Sequence, residues 1–342
     1  MNIIKPQKLK KGDKVAIVSL SWGGAGDLVI QDRYILAKKR LESDFGLEVV
    51  TMPHALKGTE FVANHPELRA KDFMDAFKDS SIRAIFSAIG GSDTIRLMPF
   101  IDYEIIRNNP KIFLGYSDST VNHFMMLNAG VQSYYGPSIL LEFAENVAMH
   151  DYTVEYIKKA LFSNTPMGEI KAAKNWTTEH LPWDNPANNQ IQRTMTPDNK
   201  GFEVLQGSGC VSGRLIGGCI EVFDWLRGTE LWPDLDKWQD SILFIETSEE
   251  TITPDQLLWI LRAIKATGAL DVIAGVFMAK PYNEKYYDEY KDVLLTVFSK
   301  EWKNSKLPIM YNGNFGHTSP MHPMPYMQMA KMDLDEGKFF IL

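Results

Sequence analysis

The chain has 342 residues, which indicates about two domains, and its 45% hydrophobic and 23% charged residues exclude a disordered, collagen-like or coiled-coil protein. Lys and Arg total 36 against 43 Asp and Glu, so the net charge is −7, and the clustered basic surface that binds nucleic acid is not expected. No apolar run reaches the roughly 20 residues that span a bilayer, and the first residues do not resemble a signal peptide. We therefore expect a cytoplasmic protein that binds neither nucleic acid nor membrane.

The first 150 residues alternate between strand and helix patterns. Strands are expected at residues 14–20, 47–52, 84–89 and 111–116, and helices at residues 30–43 and 66–78. Strands separated by helices predict a mostly parallel sheet. Ligands of such sheets bind at the carboxyl ends of the strands, where Gly90-Gly91 and Ser117-Asp118 are expected.

A long irregular segment separates this region from the rest of the chain. Residues 175–200 are rich in Asn, Pro, Thr and Trp, so we interpret residues 164–205 as a linker and substrate loop between domains at 1–163 and 206–342. The second domain is expected to contain a strand and turn at residues 213–218 and strands at 241–246, 272–279 and 307–311. A helix at residues 254–267 is predicted from a Thr cap, a Pro in the first turn and a terminating Gly.

Ser117 is the first candidate for chemistry. A serine between a strand and a helix can form a nucleophile elbow, where the helix N-terminus and nearby backbone N–H groups favour a developing oxyanion. The local sequence GYSDS at residues 115–119 meets only half of the G-x-S-x-G pattern, so Ser117 or Asp118 can equally cap the helix. Gly90-Gly91 is open to two readings as well, a plain turn or a donor of backbone N–H groups to a ligand.

Four further residues have both a functional and a structural interpretation. Glu246 ends an apolar strand, where a carboxylate is usually exposed or ion-paired, and His317 lies in a loop of small residues, where histidine is usually solvated. Trp176 and Trp183 can stack on a ring or simply anchor the irregular segment. The sequence contains no H-E-x-x-H motif, His/Cys cluster or phosphate loop, so neither a metal nor another cofactor is expected.

Five motifs occur in one order along the chain: IGGSD (89–93), KIFLGYSD (111–118), GRLIGG (213–218), LFIE (243–246) and FGH (315–317). With the opening LKKGDKVAIV (9–18), this order resembles the LD-carboxypeptidases and microcin C immunity peptidases over nearly the whole chain. The loop that contains Trp176, Trp183 and Arg193 is more similar to the immunity branch than to the muropeptide branch.

The resemblance implies a serine hydrolase with Ser117 as nucleophile, His317 as general base and Glu246 as the residue that orients the imidazole. A serine hydroxyl is a weak nucleophile until an imidazole accepts its proton, and the imidazole needs a carboxylate on its other nitrogen. The resemblance also implies an N-terminal α/β domain similar to class I glutamine amidotransferases and a C-terminal α/β domain with a barrel-like sheet. The site would lie between the domains, in a homodimer without cofactor or metal.

The remaining assignments concern the oxyanion and the substrate. The backbone N–H of Asp118 and one from Gly90-Gly91 would form the oxyanion hole, and Trp176 or Trp183 would stack on a nucleobase. Many relatives carry Asn where this chain has Cys219, a position expected on the substrate side, so Cys219 is expected to affect substrate preference.

Three functions are compatible with these residues. The leading hypothesis is hydrolysis of an amide-type bond at the carboxyl end of a small peptide or a peptidyl or aminoacyl nucleotide, microcin C-like, with an acidic amino acid preferred. The first alternative is an LD-carboxypeptidase that removes the terminal D-amino acid from muropeptides in cell-wall recycling. The second is a catalytically silent small-molecule binding protein on the same scaffold.

Overall fold

The computed structural model of the protein describes residues 3–342, which divide into two compact units. Unit 1 contains the chain up to Thr165 together with Glu179–Thr194, and unit 2 contains Pro166–Thr178 and Met195–Leu342. The segment Glu179–Thr194 therefore packs with unit 1, although its neighbours in sequence on both sides belong to unit 2.

Unit 1 is built on a parallel sheet. Its strands are β1 (Lys14–Val18), β2 (Glu48–Thr51), β3 (Ile82–Ser87), β4 (Ile112–Gly115) and β5 (Tyr134–Tyr135). They pair in parallel in the order β5-β4-β3-β1-β2. The central strands are almost wholly buried, as expected for parallel strands covered on both faces.

Helices connect these strands. They are α1 (Gln31–Ser43), α2 (Thr59–Asn64), α3 (Pro66–Lys78), α4 (Tyr103–Asn108), α5 (Thr120–Asn128) and α6 (Asp151–Ile157). Short helical turns lie at Gly24–Gly26, Thr94–Phe100, Ser117–Ser119, Ile139–Phe143, Lys158–Phe162 and Pro186–Gln190. The prediction for α3 is confirmed: the helix begins at a proline, and its apolar face packs on the sheet, with the rings of Phe73 and Phe113 5.5 Å apart.

Unit 2 contains a mixed sheet. The strands of the unit are β6 (Gly168–Ile170), β7 (Asn175–Trp176), β8 (Thr196–Pro197), β9 (Glu203–Gln206), β10 (Cys210–Cys219), β11 (Ser241–Glu246), β12 (Gly275–Ala279), β13 (Ile309–Gly313), β14 (Met324–Pro325), β15 (Met329–Asp333) and β16 (Lys338–Ile341). Eight of them form the order β6-β16-β15-β10-β11-β12-β13-β9. Strands β10 to β13 are parallel, and the strands on both sides of them pair antiparallel. Strands β7 and β8 pair separately.

The helices of unit 2 are α7 (Ile220–Leu226), α8 (Leu235–Trp238), α9 (Pro254–Ala266) and α10 (Tyr287–Leu295), with short turns at Ala269–Asp271, Tyr282–Glu284 and Thr296–Glu301. The predicted start of α9 is confirmed by a capping box. The Thr253 hydroxyl oxygen accepts from the Gln256 N–H at 3.2 Å, and the Gln256 side chain accepts from the Thr253 N–H at 2.7 Å.

The expected α/β fold in two domains, with a parallel sheet in the first, is confirmed. The predicted strand and turn at residues 213–218 is wrong in one respect, because these residues lie inside the ten-residue strand β10. A Cβ at Gly217 would stand 1.7 Å from the Phe244 carbonyl oxygen, so this glycine permits a close approach of β11 rather than a turn. None of the helices described has both the length and the apolarity needed to cross a membrane.

Candidate active site

Ser117 occupies the turn between β4 and α5 in a backbone conformation that serine rarely adopts. Its φ is +62°, in the left-handed region that costs a residue with a side chain about 1 kcal/mol or more. The Ser117 N–H donates to the Tyr135 hydroxyl at 3.0 Å, and the Ser117 carbonyl accepts from the Thr120 hydroxyl at 2.7 Å. No side-chain cap is made at the start of this turn or of α5. A strained serine held on both sides at a strand-to-helix turn has the arrangement of a nucleophile elbow.

Gly90 lies directly against the Ser117 side chain. A Cβ at Gly90 would stand 2.7 Å from Ser117 Cβ, 2.9 Å from Ser117 Oγ and 3.3 Å from the Asp118 nitrogen. Gly91 has φ +141°, and a Cβ there would stand 2.5 Å from Ser21 Oγ. Gly90 therefore permits the close approach of this turn to Ser117, and Gly91 permits its close approach to Ser21 in the loop after β1. The Gly90-Gly91 turn and the Asp118 backbone lie together beside Ser117.

Asp118 holds the glycine turn in place through its side chain. The carboxylate is buried, and its Oδ2 accepts hydrogen bonds from Ser21 Oγ at 2.6 Å, the Asp93 N–H at 3.0 Å and the Thr94 N–H at 2.9 Å. These donors belong to the loops after β1 and β3, so one oxygen atom connects both loops to the turn that carries Ser117. Sequence reasoning treated Asp118 as a cap or a backbone donor and missed this role.

Glu246 and His317 meet within unit 2. His317 Nδ1 lies 2.7 Å from Glu246 Oε2, and the two side chains are 8% and 1% exposed. Gly316 makes this approach possible, because its φ is +84° and a Cβ there would stand 2.5 Å from Glu246 Cγ and Cδ. A carboxylate on Nδ1 holds the imidazole in one orientation and leaves Nε2 as the atom that exchanges protons.

Three carboxylates surround His317. Besides Glu246 at Nδ1, Glu249 Oε2 lies 3.1 Å from Nε2, and Glu221 acts on the ring from α7. Burial favours the neutral ring, but Glu246, followed by Glu249 and Glu221, raises the pKa of His317 to about 9. The site therefore stabilises the imidazolium. Sequence reasoning missed Glu221 and Glu249, since nothing in their local pattern separates them from solvated acids.

The loop of His317 is held by residues on both sides of Trp176. The Asn314 side chain accepts from the Ala173 N–H at 2.8 Å. The Thr177 N–H donates to the Ser319 carbonyl oxygen at 2.8 Å, and the Ser319 N–H donates to the Thr177 carbonyl oxygen at 3.0 Å. These contacts fix both sides of the loop, so His317 is presented from a rigid support.

Cys219 is a buried, protonated thiol. It stands opposite Glu246 in the register of β10 and β11 and is 2% exposed. Its thiol donates to Glu221 Oε2 at 3.2 Å, and Glu221 Oε1 accepts from the N–H and hydroxyl of Ser248 at 2.8 and 2.9 Å. Burial, with Glu221 and Glu246, raises the pKa of Cys219, which disfavours the nucleophilic thiolate. In residues 3–342 no group of three or more His, Cys, Asp or Glu side chains is arranged to hold a metal ion.

The two candidate tryptophans lie in different surroundings. Trp176 belongs to β7 of unit 2 and is 6% exposed, with Lys280 Nζ 4.9 Å from its ring centroid. Trp183 belongs to unit 1 and is half-buried. Its ring stacks with Trp22 at 6.3 Å and lies 4.8 Å from the Arg33 guanidinium. Trp183 is therefore the more accessible of the two rings.

Polar contacts attach the segment of Trp183 to unit 1. Arg193 Nε donates to Glu145 Oε1 at 2.9 Å, and Arg193 Nη2 bonds the other carboxylate oxygen. Asn189 accepts from the Val147 N–H at 2.8 Å through its carbonyl and from Arg33 Nη1 at 3.1 Å through its side chain. These partners lie far away in sequence, so no local pattern predicted them.

Two family models match the chain. The LD-carboxypeptidase N-terminal domain matches residues 15–136, and the LD-carboxypeptidase C-terminal domain matches residues 212–332. Together they cover more than half of the chain, which therefore belongs to the LD-carboxypeptidase (Peptidase S66) family, a family of hydrolases. The family predicted from the motif order is confirmed.

Individual relatives extend this result. The putative carboxypeptidase YocD of Bacillus subtilis (strain 168) is 31% identical over 96% of this chain and 96% of its own length. The microcin C7 self-immunity protein MccF of Escherichia coli is 28% identical over 80% of this chain and 77% of its own. An MccF-like protein from Streptococcus pneumoniae, solved in complex with AMP, is 35% identical with a TM-score of 0.89 over 97% of this chain and 99% of its own. MccF in complex with aspartyl sulfamoyl adenosine has the same fold, with 24% identity and a TM-score of 0.82 over 99% of this chain and 98% of its own.

Proposed function

We propose that the protein is a serine peptidase that hydrolyses an amide-type bond at the carboxyl end of a small peptide or an aminoacyl nucleotide. The observation that carries the proposal is the 2.7 Å contact between Glu246 and His317, residues that are 71 positions apart and that the motif order assigns to one triad. The strained backbone of Ser117 supports its role as the nucleophile. The reaction requires the Ser117 hydroxyl to meet the His317 imidazole.

In the proposed mechanism, His317 Nε2 takes the proton of the Ser117 hydroxyl while Oγ attacks the carbonyl carbon. Backbone N–H groups of Asp118 and Gly90-Gly91 would stabilise the resulting oxyanion, and one such donor contributes about 3 kcal/mol in comparable sites. The tetrahedral intermediate collapses when the leaving nitrogen takes the proton from Nε2. A water molecule then attacks the acyl-enzyme while His317 Nε2 takes its proton, and His317 returns this proton to Ser117 Oγ as the acyl group leaves.

The substrate we favour is a microcin C-like aminoacyl nucleotide with an acidic amino acid. The AMP complex of the S. pneumoniae relative and the aspartyl sulfamoyl adenosine complex of MccF support a nucleotide substrate. We assign nucleobase stacking to Trp183 because its ring is half-buried beside Arg33, whereas Trp176 is buried beneath Lys280. Trp176 and Cys219 would influence the substrate by shaping the site from within.

A second candidate keeps the mechanism but acts on muropeptides as an LD-carboxypeptidase. The carboxypeptidase name of YocD favours it. A catalytically silent binding protein is less well supported, because binding alone does not require the buried Glu246 carboxylate to contact the His317 imidazole. From the family resemblance we also propose a homodimer, a likeness of unit 1 to class I glutamine amidotransferases and a barrel-like sheet in unit 2.

The experiment incubates the protein with aspartyl sulfamoyl adenosine and, separately, with an L,D-tetrapeptide, and follows both by mass spectrometry. We expect cleavage of the nucleotide conjugate. Cleavage of the tetrapeptide alone would reverse the ranking of the two substrates. Ser117→Ala should lower kcat by at least about 10³-fold, while the exposed Ser92→Ala should not. Full activity of the Ser117→Ala variant would refute the serine mechanism.

A further inference from the structure

Both ring nitrogens of His317 contact a carboxylate, but the two carboxylates differ. Glu246, at Nδ1, is 1% exposed, whereas the side chain of Glu249, at Nε2, is 58% exposed. Nε2 is the atom that must accept the serine proton in the proposed mechanism, so the inference below rests on the proposed function. The exposed Glu249 therefore contacts the reactive nitrogen Nε2, and the buried Glu246 contacts the orienting nitrogen Nδ1.

An imidazole between two carboxylates is stabilised in its doubly protonated form, because each nitrogen then donates a hydrogen bond. In that form Nε2 has no lone pair with which to take a proton from a hydroxyl. The contact with Glu249 therefore holds the ring in a state that is correctly oriented but inactive as a base. Catalysis requires Glu249 to leave and the Nε2 proton to pass to solvent water.

The segment that carries Glu249 allows this change without a backbone movement. Ser248, on one side, donates through its N–H and hydroxyl to the buried Glu221 at 2.8 and 2.9 Å. On the other side, the Thr251 N–H donates to the Ser248 carbonyl oxygen at 3.1 Å, which closes the turn that contains Glu249. The backbone is held on both sides of Glu249, so rotation of one exposed side chain is sufficient to release Nε2.

We propose that Glu249 is a positioning residue for the general base, holding His317 charged in the resting enzyme and releasing Nε2 when the substrate binds. The carboxylates that act on His317 are Glu246 from β11, Glu249 from the turn after it and Glu221 from α7. Of these, Glu249 alone both contacts Nε2 and is largely exposed to solvent.

The test substitutes Glu249→Gln, which keeps the shape of the side chain and removes its charge. Its matched control is Glu250→Gln, which removes the same charge from the exposed neighbour in the same turn. Removing an opposite charge in contact shifts a pKa by about one unit or more. The acid limb of kcat/KM should therefore move to lower pH by about one unit in Glu249→Gln, with about tenfold higher kcat/KM on that limb. Glu250→Gln should leave the limb in place.

An NMR titration of the His317 ring measures the same effect without a substrate. In a Ser117→Ala background, the pKa of His317 should fall when Glu249→Gln is added and stay constant when Glu250→Gln is added. Equal values in all three proteins would overturn the inference even if the enzyme is an active serine hydrolase. If that pKa falls but the protein with Ser117 intact hydrolyses neither substrate, the role of Glu249 is retained and the proposed function is refuted instead.

Discussion

Gly316→Ala tests whether the close approach of Gly316 to Glu246 holds the acid–histidine pair together. A Cβ at this position would stand 2.5 Å from Glu246 Cγ and Cδ, whereas non-bonded carbon atoms pack at about 3.5–4.0 Å. Glu246 must therefore retreat by about 1 Å. The 2.7 Å hydrogen bond to His317 Nδ1 would lengthen to about 3.7 Å, which is beyond hydrogen-bond distance.

The expected cost of this substitution has two parts. The φ of +84° costs an alanine about 1 kcal/mol, and the overpacking adds about 1–3 kcal/mol. The free energy of unfolding should fall by about 2–4 kcal/mol, as measured by urea denaturation. Because a displacement of about 1 Å in a catalytic group lowers the rate by about 100-fold, kcat should fall by that factor.

Gly337→Ala is the matched control. Its φ is +62°, and the atom nearest to an added Cβ is the Phe202 carbonyl oxygen at 3.8 Å, so it introduces the backbone strain without the clash. It should lose about 1 kcal/mol of stability and keep its kcat. If the two variants had the same kcat and the same stability, the contact between Gly316 and Glu246 would not be what positions the base.

Three further predictions concern unit 1. Gly90→Ala places a Cβ 2.7 Å from the Cβ of the proposed nucleophile Ser117 and should lower kcat by about 100-fold. The control Gly228→Ala has no atom within 4 Å of the added Cβ and should keep its kcat. Equal kcat values in the two variants would contradict the steric explanation. Arg193→Gln removes the ion pair between Arg193 and the buried Glu145, which keeps its contact with His150 at 3.2 Å, and should speed proteolytic cleavage of the segment 179–194. An unchanged cleavage rate would show that the Arg193–Glu145 pair does not hold that segment. Burial opposes the charged form of Glu145, but His150 and Arg193 lower its pKa to about 2, so the stabilisation is complete above about pH 4.5 and is lost as the pH falls towards 2. Urea denaturation across that pH range should show a smaller loss in Arg193→Gln, and an identical loss would exclude the pair as its source.

The elements that position the site were predictable because their signals are local. The strand before Ser117 is a short buried apolar run, and the start of α9 is encoded by Thr253, Pro254 and Gln256 within four residues. The two glycines at residues 90 and 91 indicated a close backbone approach, and the structure identifies Ser117 as the neighbour of the first. The hairpin of β15 and β16 was missed, although its two strands pair with each other across a short turn.

The sequence by itself determined the main strands and helices that carry or flank Ser117, Glu246 and His317, the family and the residue types available for chemistry, since periodicity, caps and motif order are properties of neighbouring residues. Only the tertiary structure decided which groups touch. It placed Glu246 on Nδ1 and Glu249 on Nε2 of His317, and it buried Trp176 while leaving Trp183 half-buried. These contacts join residues that are far apart along the chain or that differ only in the direction of a side chain. Such distances depend on how whole elements pack, and no local pattern encodes them.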